Sequence, residues 1–205
     1  TVEDAGPELS TDDNRGHAEV RVVRDRLHVL LIAGSAFPEV QFLKNAFYRD
    51  RKIELSSWLQ NADDDYEHLG DVPIRRLPQT QQELDDYDCV LLYDPDPTAW
   101  PPNFPEMLTS FVSKAGGGLA YVAGEIHTAN SFDKQTDPSM AWLNLLPVVR
   151  EPGLFRSEVQ IKLSAREPWK FQITDAGLTD PIFSFAETRD ENQKIIDSLP
   201  GMFWH

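Results

Sequence analysis

The segment LHVLLIAGSAFPEVQFLKNAFYRD, residues 27–50, decides the fold of this chain. It opens with a nearly continuous apolar run that a glycine closes, a pattern typical of a strand buried on both faces. After the loop SAFPE, the residues Val40, Leu43 and Phe47 recur at helical spacing. Pro38 stands near the expected helix start, where a missing N–H costs least. The segment therefore predicts a strand, a loop and a helix.

Strands and helices continue to alternate beyond this unit. KIELSSWL predicts a second strand, QQELDDY a short helix, and DCVLLYDPDP a third strand that ends at its prolines. EMLTSFVSKA predicts a helix, and the glycine triplet at 116–118 leads into a fourth strand at 119–123. This order predicts a doubly wound α/β fold with a mostly parallel, flavodoxin-like sheet and right-handed crossovers.

The two ends of the chain differ from this pattern. PSMAWLNLLPV predicts a short helix, SEVQIKLSA and WKFQIT predict a β-hairpin added to the parallel sheet, and ETRDENQKIIDSLP predicts a charged helix. Residues 1–26 are polar and include the alternating run AEVRVV, so we expect a linker or the last strand of a preceding module. Residues 27–205 are expected to form one α/β domain.

Composition excludes several classes of function. A net charge of −15 repels phosphate backbones, so nucleic acid is not an expected partner. The sequence has neither a long apolar run nor a signal peptide, and we expect a soluble chain with no direct membrane insertion. Because it starts at Thr1 and stops at the aromatic end GMFWH, we expect a fragment of a longer protein. The single cysteine, Cys89, lies within CVLLY and is expected to be a small buried hydrophobe.

Several quoted stretches carry a family resemblance. VLLIAGSAFPEVQFLKNAF, IELSSWLQNADDDY, GDVPIRRLPQT, ELDDYDCVLLYDPDP, FVSKAGGGLAYVAGE and ITDAGLTDPIF occur in this order over residues 20–205. The series resembles the class I glutamine amidotransferase-like domain, in the version found in uncharacterised bacterial membrane proteins that often carry a von Willebrand A-type domain. A more distant resemblance is to trehalose-utilisation-type proteins. The resemblance implies a membrane-anchored parent protein of the cell envelope, on an undetermined side of the membrane.

The sequence departs from that family at the residues that carry its reaction. Glutamine amidotransferases place a cysteine at a G-x-C-x-G elbow and a His-x-Glu pair downstream. Here the corresponding corner reads Gly124, Glu125, Ile126, His127, and no His-x-Glu follows it. Glutamine hydrolysis needs a thiolate nucleophile and an imidazole base, so no glutaminase activity is expected.

Polar groups follow three of the predicted strands. Glu39 comes after the first strand, Asp94 and Asp96 after the third, and Glu125 and His127 after the fourth. The carboxyl ends of parallel strands meet at one edge, so these five groups are candidates for a ligand cleft. They could act as an acid and base pair, or Asp94, Glu125 and His127 could hold a metal ion. They could equally form turns and helix caps, with Glu125 capping the next helix. No cofactor or metal is expected.

Other motifs carry weaker signals. Asp63, Asp64 and Asp65 lack the spacing of a calcium loop and are expected to form a solvated acidic loop. Ser35 and Ser131 lie near the expected cleft, but the G-x-S-x-G elbow of a serine hydrolase is absent from the sequence. Among the aromatic residues, Trp100 and Trp204 are expected to be exposed, where aromatic side chains favour contact with a partner.

Two functional hypotheses follow. The first is a non-catalytic binding or scaffolding domain of a larger envelope-associated protein, whose partners are neighbouring domains of the parent or another envelope protein. The second is a hydrolase or lyase that acts on a small polar or sugar-like substrate through Glu125 and His127, with or without a metal. An enzyme requires these two side chains to converge on an open pocket, whereas a scaffold leaves them in caps or turned outward.

Overall fold

The computed structural model describes residues 26–63, 66–68, 70–134, 136–148, 170, 173–175 and 177–201. The predicted strand within residues 1–25, most of the predicted hairpin at 157–174, and Trp204 lie outside these ranges. The chain divides into two compact units, the first ending at Gly124 and the second beginning at Glu125.

The first unit contains a four-stranded, entirely parallel sheet, as the sequence predicts. Its strands are β1 (Leu27–Ala33), β2 (Ile53–Leu59), β3 (Cys89–Tyr93) and β4 (Gly118–Val122). They lie in the order β2-β1-β3-β4, with parallel register throughout. This is the order of the first four strands of a flavodoxin-like fold. The doubly wound α/β architecture is therefore confirmed.

Helices flank the sheet in the first unit, and the second unit contains further helices. The α-helices are α1 (Pro38–Arg49), α2 (Gln81–Asp85), α3 (Phe104–Ser110), α4 (Thr128–Asp133) and α5 (Arg189–Ser198). A π-helical turn at Phe111–Ala115 extends α3, and 3-10 helices occupy Pro97–Ala99, Pro138–Leu145, Gly177–Thr179 and Pro181–Phe183. The helix predicted from PSMAWLNLLPV is thus a 3-10 helix.

Both faces of β1 and β3 are buried. On one face, Val29, Leu31 and Leu91 form a core cluster with Val40 of α1. On the other face, alternate residues of the same strands, including Leu30, are fully buried. Because successive side chains of a strand point to opposite faces, burial on both faces explains the continuous apolar runs of β1 and β3.

The chain after β2 folds back along the free edge of that strand. The backbone N–H of Leu55 donates to Asp71 Oδ2 at 3.0 Å, and Leu55 O accepts the N–H of Val72 at 3.1 Å. The Ser56 hydroxyl donates to Val72 O at 2.9 Å. A Cβ atom on Gly70 would lie 2.5 Å from Leu55 O, so the approach requires glycine. These contacts protect β2, an edge strand, from pairing with other chains.

In the second unit, polar side chains cap α5 and fix the turn that precedes it. Thr188 Oγ1 accepts the N–H of Glu191 at 3.3 Å and thereby caps the helix. The buried Asn192 donates its amide to Phe183 O at 2.9 Å and accepts the N–H of Phe185 at 2.7 Å. The charged helix that the sequence predicts here is confirmed, and Asn192 fixes the preceding turn to it.

Two burial predictions need correction. Trp100 is only 7% exposed and packs on Phe104 with ring centroids 5.2 Å apart, because the Pro97–Ala99 turn directs the chain back toward α3. Cys89 is half-buried and not enclosed, since it is the first residue of β3. Trp100 is therefore a core residue, whereas Cys89 is only partly buried against the core.

No helix among the described residues has both the length and the apolar character that crossing a membrane requires.

Candidate functional site

The strand order places the topological switch point of the sheet at the carboxyl ends of β1 and β3. β2 lies on one side of the β1–β3 pair and β4 lies on the other. The connections that follow β1 and β3 therefore run in opposite directions. The loop after β1 begins at Gly34, whose N–H donates to Tyr93 O at 3.0 Å. Ligands of doubly wound proteins bind at such a switch point. Three predicted cleft residues, Glu39, Asp94 and Asp96, belong to the loops and helix at this position.

Asp94 is enclosed at the end of β3. Its side chain is 0% exposed, and its backbone has a left-handed φ of 40°. Its N–H donates to Val122 O at 2.9 Å, which extends the pairing of β3 with β4 by one step. A Cβ atom on Gly124 would lie 2.5 Å from the Cβ of Asp94. The fold therefore holds Asp94 in an uncommon conformation beneath the glycine of the corner.

Asp96 forms a cap and a clamp. Its carboxylate accepts the N–H of Thr98 at 2.9 Å and the hydroxyl of Thr98 at 2.7 Å. Its backbone N–H and C=O both bond to the side-chain amide of Gln60, each at 2.8 Å. Asp96 is thus the N-cap of the 3-10 turn, as the capping alternative predicts. Gln60, which the sequence analysis missed, ties the loop after β2 to the loop after β3.

Tyr93 links two of the predicted residues. Glu39 is exposed in the first turn of α1, and Asp94 follows Tyr93 directly. Burial raises the pKa of the Tyr93 hydroxyl, and the negative charges of Glu39 and Asp94 raise it further. The Tyr93 ring packs on Phe37 with centroids 5.3 Å apart. Tyr93 is therefore a neutral hydrogen-bonding group at neutral pH, flanked by an aromatic ring and two carboxylates.

Glu125 and His127 belong to the second unit. Glu125 is exposed, and the N-cap residue of α4 is His127, whose side chain forms no capping bond. The alternative in which Glu125 caps this helix is therefore wrong. His127 instead provides its carbonyl oxygen, which accepts the N–H and the hydroxyl of Ser131, each at 3.0 Å. The hydroxyl of Ser131 is thereby engaged in a local turn.

Metal-binding residue types are dispersed in the described part of the chain. There, no three His, Cys, Asp or Glu side chains come close enough together to hold an ion. Asp63 is exposed, whereas Asp64 and Asp65 fall outside the described ranges.

A pocket of about 280 Å³, which the sequence does not predict, lies between α1 and β2 and includes Phe37 at the carboxyl end of β1. Trp58, one of its lining residues, stacks on His68 with centroids 3.8 Å apart, and Tyr66 meets His68 edge-on at 5.2 Å. His68 Nδ1 accepts the N–H of Leu59 at 3.1 Å, which places the imidazole proton on Nε2. Burial lowers the pKa of His68, and the positive charge of Lys44 lowers it further.

Two other pockets lie elsewhere. One of about 420 Å³ is at the amino ends of β1 and β2, where His28 pairs with Glu54 at 2.9 Å. The other, of about 520 Å³, belongs to the second unit and is lined by the start of α5. Neither of these pockets, nor the pocket beside α1, is lined by Glu125 or His127.

A comparison with protein-family models and searches of curated proteins and of solved structures give no match to this chain.

Proposed function

We propose that this chain is a non-catalytic binding or scaffolding domain, of the glutamine amidotransferase-like type, within a larger envelope-associated protein. The observation that carries the proposal is that two of the three carboxylates at the switch point, Asp94 and Asp96, serve the fold itself. Asp96 caps a turn, and Asp94 is fully buried beneath Gly124. A general acid or base must instead reach a substrate in an open cleft.

The position of the only thiol supports the same proposal. Cys89 is the first residue of β3, whereas Tyr93 at the switch point is the last, so the sulfur lies at the opposite end of the strand. Burial and the neighbouring charge of Asp88 raise the pKa of Cys89. A raised pKa disfavours the thiolate, which is the reactive form. Cys89 therefore cannot replace the missing nucleophile of the family.

The switch point retains features suited to binding. Phe37 is partly exposed, Tyr93 offers a hydroxyl, and Glu39 contributes a negative charge. The chain has a net charge of −15, which attracts basic partners and repels nucleic acid. We therefore propose that the partner is a neutral or basic segment of the parent protein, or of another envelope protein.

One observation favours the alternative of a hydrolase or lyase. Among the described residues, the Glu125 carboxylate forms no hydrogen bond or ion pair, so it is available for chemistry. Its exposure argues against this use, because a water-exposed carboxylate offers no enclosed site for a substrate.

The structural role of Asp96 provides the test. Asp96→Ala removes the cap and should lower the free energy of unfolding by about 1 kcal/mol. Thr98→Ala should lower it by a smaller amount, and the two changes together should cost less than their sum because they remove one shared interaction. Urea denaturation of the four proteins measures this. An Asp96→Ala variant as stable as the wild type, or more stable, would contradict the proposal, because removing a catalytic group commonly leaves stability unchanged or raises it.

A further inference from the structure

The pocket between α1 and β2 has a mostly apolar lining and one buried cation. It is formed entirely within the first unit and contains none of the switch-point carboxylates. Its lining residues are Leu31, Ala33, Ala36, Phe37, Pro38, Val40, Gln41, Lys44, Ser57, Trp58, Leu59 and Tyr66. The cation among them is the ammonium group of Lys44.

Lys44 is buried because of its place on α1. It follows Val40 by four residues and therefore occupies the same helical face, directed at the sheet. Only 8% of Lys44 is exposed, and burial lowers its pKa. Within the described ranges, no carboxylate forms an ion pair with it, and its Nζ forms no hydrogen bond. A buried ammonium group without a counter-ion is unfavourable, so a ligand that supplies one is stabilised here.

The aromatic walls of the pocket are held in place. Phe37 packs on Tyr93, and Trp58 stacks on His68 with an interplanar angle of 17°. Lys44 and Trp58 line the same pocket, so the cation and the aromatic wall share one cavity. Rigid rings beside a cation favour a flat apolar group that carries a negative charge, because both parts bind without reordering the protein.

We propose that this pocket binds a small carboxylate with an aromatic group, the carboxylate pairing with Lys44 and the ring lying against Phe37 and Trp58. The volume of about 280 Å³ restricts the ligand to a small molecule, since pockets for drug-sized ligands measure roughly 300–1,000 Å³. This inference goes beyond the proposed function, because the pocket shares Phe37 with the switch point but none of its carboxylates, and binding through Lys44 does not depend on them.

The test compares two probes of the same shape, 3-phenylpropionate and 3-phenylpropan-1-ol, by two-dimensional NMR titration of the labelled chain. We expect the carboxylate to bind at least about 10-fold more tightly than the alcohol, as a hydrogen bond between charged groups requires. The largest shifts should fall on residues of the pocket, including the indole of Trp58.

Two variants test whether Lys44 provides the positive charge that binds the carboxylate. Lys44→Met replaces the lysine by an unbranched apolar side chain without a charge. It should remove the preference for the carboxylate, while the affinity for the alcohol stays within about 2-fold of the wild-type value. Lys114→Met makes the same change in net charge at an exposed lysine and should leave both affinities unchanged. A dispersed NMR spectrum shows whether each variant is folded, and the comparison of probes on the wild type needs no variant.

Three results would overturn the proposal. These are equal affinity of the wild type for the two probes, equal losses in Lys44→Met and Lys114→Met, and shifts centred on residues that do not line the pocket. Each of these leaves the proposed switch-point function untouched, because the Asp96 test depends on a separate set of contacts.

Discussion

Gly124 lies so close to Asp94 that a Cβ atom on it would be 2.5 Å from the Cβ of Asp94. Any side chain on Gly124 would meet the Cβ and carboxylate of Asp94, which is fully buried and has few ways to move. We expect Gly124→Ala to lower the free energy of unfolding by about 2 kcal/mol, as overpacking does in other cores. Thermal or urea denaturation measures the change.

A second substitution isolates this contact. Asp94→Gly removes the side chain that Gly124 opposes and also accommodates the left-handed backbone. Gly124→Ala should therefore cost much less in the Asp94→Gly background than in the wild type. Equal costs in the two backgrounds would show that Gly124 is needed for another reason.

His68 makes the stability of the first unit depend on pH. Its ordinary pKa of 6.5 is lowered in the folded chain, so the unfolded chain takes up the proton first as the pH falls. The free energy of unfolding should therefore decrease as pH drops below 6.5 and stop decreasing once the folded chain is protonated too. His68→Gln keeps an acceptor for Leu59 but does not titrate, and should flatten this slope.

The measurement is urea denaturation at a series of pH values. The window must stay above the titration of Glu83, whose pKa is lowered from 4.5 to about 2 by its hydrogen bonds to Arg76 and to the N–H of Gln79. Glu83 therefore loses its contribution only as the pH falls below 4.5. An unchanged slope in His68→Gln would assign the pH dependence to other groups.

At the scale of elements, the edge of β2 depends on the segment that folds back over it. Gly70→Ala places a Cβ atom against Leu55 O, a backbone atom that can yield only by moving the strand. We expect a loss of about 2 kcal/mol in unfolding free energy, with faster amide hydrogen exchange at Leu55 and Val72. Gly116→Ala is the contrasting variant, because nothing lies near that Cβ and its cost arises from a φ of 76° alone.

Hydrogen exchange at β2 decides whether the segment that contains Gly70 protects this edge strand. If Gly70→Ala destabilises the protein without faster exchange at Leu55 and Val72, the loop does not protect β2. Gly116→Ala should leave exchange at those two amides unchanged in either case.

The elements were largely predictable, because each follows from a local pattern. β1 and β3 appear as apolar runs, and the periodicity of Val40, Leu43 and Phe47 marks α1. The burial of Trp100 does not follow from the sequence, because the Asp-Pro repeat indicates only where β3 ends. It does not indicate that the following turn returns the chain to α3.

The candidate site was predictable in position and only partly in role. Strand order determines which loops meet at the switch point, so Glu39, Asp94 and Asp96 could be named from the sequence. Whether such a carboxylate is open or engaged depends on distant partners, such as Gln60 for Asp96. Lys44 carries a usable signal, since it lies in the apolar stripe of α1. Its aromatic neighbours, Phe37, Trp58 and Tyr66, come from β2 and two loops, and no local pattern shows that they meet Lys44.

At the scale of the whole molecule, we propose that the chain binds a partner and catalyses no reaction. The chain combines a parallel, flavodoxin-like sheet and a net charge of −15 with a switch point at which Asp94 is buried and Asp96 caps a turn. Fold alone does not determine activity, which depends on the groups at the site. Turnover is therefore the property that separates a scaffold from an enzyme.

The most direct measurement is hydrolysis of a panel of amide, ester and glycoside substrates, with and without added Mg²⁺, Mn²⁺ and Zn²⁺. The wild type is compared with Glu125→Gln, His127→Ala and the control Glu106→Gln, which changes an exposed carboxylate on α3. We predict no turnover that differs between the wild type and these variants. A rate that Glu125→Gln or His127→Ala abolishes, and that Glu106→Gln retains, would contradict the account and identify the chain as an enzyme.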